Sequence, residues 1–237
     1  MKIDCKPLQE ILNFLKVMCA DSATVVPTES GWEFYARDPS ACAMVSALLK
    51  KDAFPEGYEV WEPFAAEMDF LKDNTAKRDK VDLEVDDGYM KITYEKSKSK
   101  RRLFALDETP RTLPRVRLES SVAVLSDKLL ELAGNKYIAN TSAPNGLKVE
   151  TSEQEITFSC ECDIDAYSET YDVLMANLPN EGQICHFAPQ YLIPVFKTLP
   201  KGVPVVIDMD NDKPMKLTLQ TELNLINIYI APRIPED

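Results

Sequence analysis

The chain has 237 residues, 45% of them hydrophobic, so it is long enough for one large domain or two small domains with cores of their own. Its formal net charge of −12 argues against nonspecific wrapping of nucleic acid by the outside of the protein. No apolar run approaches the roughly 18 residues of a membrane span, and the first residues lack the features of a signal peptide. We therefore expect a cytosolic protein without a membrane anchor.

The acidic excess is unevenly distributed. Residues 1–106 hold 16 Lys and Arg against 19 Asp and Glu, whereas residues 107–237 hold 11 against 20. Because the average surface repels polyanions, nucleic acid would have to meet a local group of basic side chains.

Six cysteines, at positions 5, 19, 42, 160, 162 and 185, form no CxxC pair. Most lie among strand-like residues, where a thiol behaves as a small hydrophobic side chain, so we predict free buried thiols. The alternative is a zinc site formed by Cys160, Cys162, Cys185 and His186, but zinc ligands are normally separated by longer loops at CxxC-like spacing. We therefore expect no bound metal.

The first half alternates strand and helix patterns. Residues 2–6 ("KIDCK") predict a short strand, and Leu8, Ile11, Leu12 and Leu15 then recur at helical spacing. Two hairpins are predicted, "SATVV" with "WEFYA" and "VDLEV" with "YMKITYE", and the apolar strand "ACAMVSALL" lies between them. A second helix is predicted over 64–74, and "RRLFAL" is a strand after a basic turn.

Residues 107–117 ("DETPRTLPRVR") contain two prolines and no periodicity, which predicts a connector between a domain of residues 1–106 and a domain of residues 118–237. Beyond it the order of elements repeats. A strand, "SSVAVL", precedes the helix "SDKLLELAG", with Ser126 or Asp127 as N-cap and Gly134 as C-cap. Strand-like segments from "KYIAN" to "YDVLM" follow, then a fourth helix, "APQYLIPVFKTL", and three strands.

Because the element order repeats while identity between the halves is slight, we infer a duplicated α+β domain. Pro194 lies five residues after Pro189, where an interior proline costs about 3 kcal/mol or kinks a helix. We therefore expect the fourth helix to be short or bent.

Three segments of the sequence are informative together: "YARDPSACAMV" (35–45), the connector ending in Leu113-Pro114, and the terminal "IYIAPRIPED". With them the chain resembles the DNA sliding clamps of the proliferating cell nuclear antigen (PCNA) family, in its archaeal form. The resemblance implies two topologically similar domains, each with β-sheets outside and two helices inside, in a homotrimeric ring around double-stranded DNA. It implies a DNA polymerase processivity factor, with no enzymatic activity or cofactor, in an archaeal cytoplasm at the nucleoid. Expected partners are DNA polymerase, a clamp loader, and replication and repair proteins with clamp-binding peptides.

The resemblance also assigns three sets of residues. Phosphate contacts on the inner helices would come from Asn13, Lys16, Lys72, Lys77, Arg78, Lys80, Lys128, Lys136, Lys197 and Lys201. A pocket for peptides of the Gln-x-x-Leu-x-x-Phe-Phe type would be bordered by Cys42, Met44, Leu113, Pro114, Pro214, Tyr229, Ala231 and Pro232. Arg101 and Arg102, in the basic run 96–102 that we predict to be a hairpin turn, would pair with acids of a neighbouring subunit, such as Glu131. The structural alternatives are solvated helix faces, ordinary strand packing and a solvated turn.

Two other function classes compete with this interpretation. An enzyme is disfavoured because the sequence has no Gly-rich phosphate loop, no HExxH motif and no nucleophile elbow, and only one histidine. A clamp-like subunit of a heterotrimer, or a monomeric decoy that occupies clamp partners, stays open. The sheet edges predicted at "RRLFAL" and "YDVLM" do not show which strands they pair with.

Overall fold

The computed structural model describes residues 1–18, 21–104, 106, 114, 116–139, 143, 145–161, 165–179 and 182–234. The chain forms two compact units, Met1–Leu113 with Thr221–Ile226, and Pro114–Gln220 with Asn227–Asp237. Most of the predicted connector lies outside the described residues, so the bounds 107–117 stay a prediction. No helix in the described ranges is long and apolar enough to cross a membrane.

The first unit contains two four-stranded antiparallel sheets. Its elements are β1 (Lys2–Asp4), α1 (Cys5–Val17), β2 (Ser22–Thr28), β3 (Gly31–Arg37), β4 (Ala43–Lys50), a 3-10 turn (Lys51–Ala53), β5 (Phe64–Glu67), α2 (Met68–Thr75), β6 (Lys80–Asp86), β7 (Tyr89–Tyr94) and β8 (Ser97–Arg102). One sheet has the order β1-β6-β7-β8, and the other has the order β5-β2-β3-β4.

The helices of the first unit cover its core. The predicted helical stripe of α1, Leu8 to Leu15, is buried, and α1 lies against α2 and β4. Gln9 Nε2 donates to the carbonyl of Lys72 at 3.1 Å and so ties the two helices together. Since each fully buried Leu contributes about 1.5–3 kcal/mol, this stripe fixes which face of α1 turns outward.

The second unit repeats this arrangement. Its elements are β9 (Ser121–Leu125), α3 (Ser126–Gly134), α4 (Lys136–Ala139), β10 (Leu147–Thr151), β11 (Glu155–Glu161), β12 (Ala166–Asp172), β13 (Met175–Asn177), β14 (Ile184–Phe187), α5 (Pro189–Thr198), β15 (Pro204–Asp208), β16 (Met215–Gln220) and β17 (Asn224–Ile230), the last divided between the units. The sheets have the orders β12-β11-β10-β14 and β13-β9-β15-β16, and α3 packs on α5. The predicted α+β class is confirmed.

Several predicted elements of the first unit are wrong in detail. The segment "KIDCK" is a strand only to Asp4, since α1 begins at Cys5. The helix predicted over 64–74 is β5 followed by α2, because residues 64–67 pair with β2. The basic run 96–102 is mainly a strand and not a turn. It pairs with β7 from Tyr94↔Ser97 to Tyr89↔Arg102, and the turn lies at Glu95, where φ is +51°.

Corrections in the second unit have tertiary causes. The N-cap of α3 is Leu125, because the Ser126 hydroxyl and the Asp127 carboxylate instead accept hydrogen bonds from Val203 N and Gly202 N. The C-cap is Asn135 and not Gly134. The described residues of "KYIAN", 136–139, form the helical turn α4 instead of a strand, and "YDVLM" is divided between β12 and β13.

The fourth helix of the prediction, α5, runs from Pro189 through Pro194 to Thr198. Pro194 has no N–H to donate to the preceding turn. We expect Pro194→Ala to raise the free energy of unfolding by about 1–2 kcal/mol. The helix gains a backbone hydrogen bond, and this gain is partly offset because the unfolded chain without the proline has more conformational entropy. Chemical denaturation followed by circular dichroism measures this change.

Pro189→Ala is the matched control, because Pro189 lies in the first turn, where the N–H has no helical acceptor. Equal effects of the two substitutions would contradict the prediction.

Candidate functional site

The exposed faces of α1 and α2 carry the first candidate phosphate ligands. Asn13 and Lys16 are exposed on α1, and Lys72 is half-buried on α2. Lys16 Nζ donates to the carboxylate of Asp69 on α2, and this acid raises the pKa of the lysine. The positive charge at Lys16 is therefore held close to a negative one.

The segment after α2 carries Lys77, Arg78 and Lys80. The Arg78 guanidinium donates to the Asn74 carbonyl and lies 4.9 Å from the ring centre of Tyr94. Lys80 Nζ lies 3.4 Å from an oxygen of Asp4. Lys77 is exposed and, among the described residues, has no acidic partner. Arg78 and Lys80 therefore have structural contacts, and Lys77 does not.

In the second unit, Lys128 on α3 pairs with Glu131 at 3.4 Å, and Lys136 lies 5.0 Å from the ring centre of Tyr137. Lys197 on α5 and Lys201 in the following turn are exposed, with no acidic partner within the described ranges. Nine of the ten predicted phosphate ligands are on helices or within a few residues of one, whereas Lys80 begins the strand β6. Lys16, Lys80 and Lys128 lie beside acids that weaken their charge.

The edge strands of two sheets carry opposite charges. β8 ends the sheet of the first unit and presents Lys98, Lys100, Arg101 and Arg102, with no acid. β12 ends a sheet of the second unit and presents Glu169 and Asp172, with no base. The sequence analysis missed these two acids, although the alternation of residues 166–172 marked an exposed strand.

Two of the three predicted interface residues, Arg101 and Glu131, have side-chain partners within the chain. Arg101 Nε lies 3.1 Å from Glu67, and its guanidinium lies 5.5 Å from the ring centre of Phe70. Arg102 is exposed at the end of β8. Glu131 pairs with Lys128. These exposed ion pairs are worth only a few tenths of a kcal/mol to about 1 kcal/mol and can be exchanged for others.

The segment "RDPSACAM" is shaped by Asp38. This buried carboxylate accepts hydrogen bonds from Ser40 N at 3.0 Å and Ala43 N at 2.6 Å. Of the predicted pocket residues here, Cys42 is half-exposed, whereas Met44 is 7% exposed and mainly a core residue.

The C-terminal segment, defined here as Tyr229–Arg233, adds to the free side of β14. Pro232 pairs with Phe187, and Arg233 N donates to His186 O at 2.7 Å. Tyr229, Ala231 and Pro232 stay half-exposed, as do Pro214 and Pro114. The predicted residue Leu113 lies outside the described residues.

The cysteines and the histidine do not form a metal site in the described part of the chain, where no three His, Cys, Asp or Glu side chains are grouped suitably. Cys160 and Cys185 are buried free thiols, and burial raises the pKa of Cys185. Burial and the nearby Lys148 lower the pKa of His186, which favours a neutral imidazole. Cys162 lies outside the described residues.

Asp210 is a buried acid (8% exposed) that the sequence analysis did not single out. Its carboxylate accepts hydrogen bonds from Glu119 N at 3.1 Å, Ser120 N at 3.1 Å and Lys213 Nζ at 3.0 Å. Burial alone would raise the pKa of Asp210, but the ammonium and the N–H groups outweigh it and hold the pKa below its usual value.

Comparisons with known proteins agree with this architecture. No family model matches the chain. The DNA polymerase sliding clamp of Nitrosopumilus maritimus is 24% identical over 243 residues, covering 96% of this chain and 94% of that protein. The structure of A. fulgidus PCNA with the C-terminal region of FEN-1 is similar with a TM-score of 0.83 at 19% identity, covering 100% of this chain and 98% of the other.

A complex of PCNA2 and PCNA3 from Sulfolobus tokodaii gives a TM-score of 0.79 at 17% identity, covering 98% of this chain and 99% of the other. The chain therefore has the sliding-clamp fold over its full length, and the resemblance seen in the sequence is confirmed.

The ionised Asp210 gives a pH prediction. Because its folded-state pKa is lowered, its stabilisation is complete above the unfolded-state pKa of about 3.9 and is lost as the pH falls through the folded-state value. We expect Asp210→Asn to destabilise the protein at pH 7 by about 2 kcal/mol, and the difference from the wild type to shrink below pH 4. Denaturant titrations followed by circular dichroism at several pH values measure this difference.

Asp212→Asn, at an exposed acid of the same loop, is the control and should change stability little at either pH. A difference between wild type and Asp210→Asn that is independent of pH would contradict the role given to the carboxylate charge.

Proposed function

We propose that this chain is a DNA polymerase processivity factor, a sliding clamp whose copies close into a homotrimeric ring around duplex DNA and tether replication and repair proteins. It catalyses no reaction and needs no cofactor. The observation that carries the proposal is the opposite charge of the edge strands β8 and β12 in a chain with the sliding-clamp fold over its full length.

Sheet edges expose unpaired N–H and C=O groups that a second strand can satisfy. Like charges oppose the pairing of β8 with another β8, and the acids of β12 oppose its pairing with another β12. The basic edge of one copy therefore suits the acidic edge of the next. Such head-to-tail contacts generate a closed ring when the rotation between copies closes. Arg101, Arg102 and Glu131 belong to this proposed interface.

A ring explains how an acidic protein works on DNA. Retention comes from topology, so a few sequence-independent phosphate contacts suffice, and tight contacts would slow sliding. We assign these contacts to the ten residues predicted above. Lys72, Lys77, Lys197 and Lys201, for which the described residues supply no acidic partner, are the strongest candidates.

Partner proteins are proposed to bind at the C-terminal segment. Tyr229, Ala231 and Pro232, with Pro214, offer half-exposed apolar surface in the second unit, and the similar A. fulgidus protein binds the C-terminal region of FEN-1. We expect the polymerase and clamp loader to use the same surface through peptides of the Gln-x-x-Leu-x-x-Phe-Phe type. Cys42, Met44, Leu113 and Pro114 remain predicted contributors. This role places the protein at the nucleoid in the cytoplasm.

A heterotrimer subunit is the second candidate, because the similar Sulfolobus tokodaii structure joins two different PCNA chains. Light-scattering mass of the purified chain across a dilution series separates the two. The homotrimer predicts three times the chain mass of 26.7 kDa. A mass of one chain at high concentration would refute the homotrimer.

Charge reversal tests the edge pairing. We expect Lys98→Glu with Lys100→Glu to raise the concentration at which the trimer dissociates by about tenfold or more, because attraction across the edge becomes repulsion. Glu169→Lys with Asp172→Lys should do the same. The chain with all four changes should regain the trimer, as measured by light scattering.

Lys51→Glu with Lys148→Glu is the charge-matched control away from both edge strands, and its mass should equal that of the wild type. If the variant with all four charge reversals does not regain the trimer mass, these two edges do not pair.

The DNA contacts predict a change in salt dependence. We expect Lys72→Ala with Lys197→Ala to reduce the slope of log K against log salt by about 1–2 for binding to a short DNA duplex, since each phosphate contact contributes about 0.9. Fluorescence anisotropy of a labelled duplex at low salt measures it. Lys148→Ala, on a sheet strand, is the control, and an unchanged slope in the double variant would remove these two lysines from the DNA surface.

A further inference from the structure

Three of the residues assigned to the partner surface are prolines of the second unit: Pro114, Pro214 and Pro232. A proline has no backbone N–H, so it cannot donate a hydrogen bond that anchors its own position. The chain next to each proline must therefore supply the anchoring.

The loop Asp210–Lys213, called here the brace loop, anchors the chain beyond Pro114. Lys213 Nζ donates to Arg117 O at 3.1 Å and to the Asp210 carboxylate at 3.0 Å. The carboxylate receives the N–H groups of Glu119 and Ser120, and Met209 N donates to Ser120 O at 3.0 Å. Since three residues span at most about 11 Å, fixing Arg117 restricts Pro114 as well.

The same loop holds β14. Asn211 Oδ1 accepts from Ile184 N at 2.7 Å, Asn211 N donates to Gln183 Oε1 at 3.1 Å, and the Cys185 thiol lies 3.6 Å from Lys213 O. β14 in turn holds the C-terminal segment, because His186 O accepts the N–H of Arg233, the residue after Pro232. Pro214 directly follows the loop.

We propose that the brace loop is a positioning element for partner binding: Asp210 and Lys213 fix residues 117–120, just beyond Pro114, and Asn211 fixes β14, which holds the chain next to Pro232. This inference rests on the proposed docking role of the C-terminal segment. Lys213 and Asp210 need not touch the partner peptide. They raise the fraction of the free protein in which the apolar surface is already arranged, and apparent affinity rises in proportion to that fraction.

Lys213 offers a test that spares the core, because its side chain is 45% exposed. We expect Lys213→Met to weaken binding of a fluorescein-labelled Gln-x-x-Leu-x-x-Phe-Phe peptide by about fivefold, the equivalent of one hydrogen bond, with no change in trimer mass. The thermal midpoint should fall slightly, because the buried Asp210 carboxylate loses its ammonium partner and keeps the N–H groups of Glu119 and Ser120. In the peptide-free protein the Glu119 and Ser120 amides should exchange faster in the variant. A direct contact between Lys213 and the peptide would leave that exchange unchanged.

Lys216→Met is the matched control. Lys216 forms a comparable ion pair with Asp208, at 3.4 Å, but is not bonded to residues 117–120. Lys213→Arg should retain binding, because its guanidinium can reach the same acceptors.

The outcomes separate the two proposals. No binding of the peptide to the wild-type protein would overturn the docking role and the brace with it. If the wild type binds the peptide, three results would overturn the brace alone. They are an equal affinity for Lys213→Met, unchanged exchange of the Glu119 and Ser120 amides, and an equal loss of affinity in Lys216→Met.

Discussion

An open sheet edge is the constraint on which this structure depends. A strand at an edge leaves a row of N–H and C=O groups unpaired, and a protein must cover, charge or pair that row. This chain uses a different solution at each of three edges. β8 is basic, β12 is acidic, and β14 is covered by Pro232 and Arg233. The first two edges suit head-to-tail assembly. The covered edge leaves apolar side chains of the C-terminal segment half-exposed, so the proposed assembly and the proposed docking both follow from the way sheet edges are treated.

Apolar periodicity in the sequence was sufficient to predict helices and strands that have one buried face. It found α1 by its 3.6-residue stripe and β6, β7, β10 and β11 by their alternation. It failed at β8, where no residue is fully buried and only pairing with β7 makes the run a strand. It also found α3 over residues 126–134, but the predicted N-cap was wrong, because Ser126 and Asp127 bond the chain near residue 202 and not their own helix. Local sequence patterns do not identify partners that are distant in the chain.

The candidate sites, like the secondary structure, were predicted only as far as local sequence determines them. The sequence put basic residues on or near helices, but it could not show that Lys16 meets Asp69 or that Lys80 meets Asp4, since those acids are distant in the chain. Asp210 went unnoticed for a similar reason, because its partners Glu119 and Ser120 lie about ninety residues away. Met44 was assigned to a surface from the resemblance, and the packing of β4 buries it. The sequence therefore predicted which types of residue lie at the candidate sites, but not which side chains they contact in the folded protein.

The pairing of helix lysines with acids fits the proposed role. A row of lysines without acidic partners would bind phosphates strongly, with an affinity that falls steeply as the salt concentration rises. A clamp held in that way would have to break those contacts to slide. Here Lys16 and Lys128 each lie beside a carboxylate, so the field that they present to DNA is weakened. In the proposed ring, residence on DNA would come from closure, and its lifetime would depend on the proposed pairing of β8 with β12. The proposed function therefore requires weak DNA contact together with strong edge pairing, and the charges on α1, α3, β8 and β12 are consistent with both.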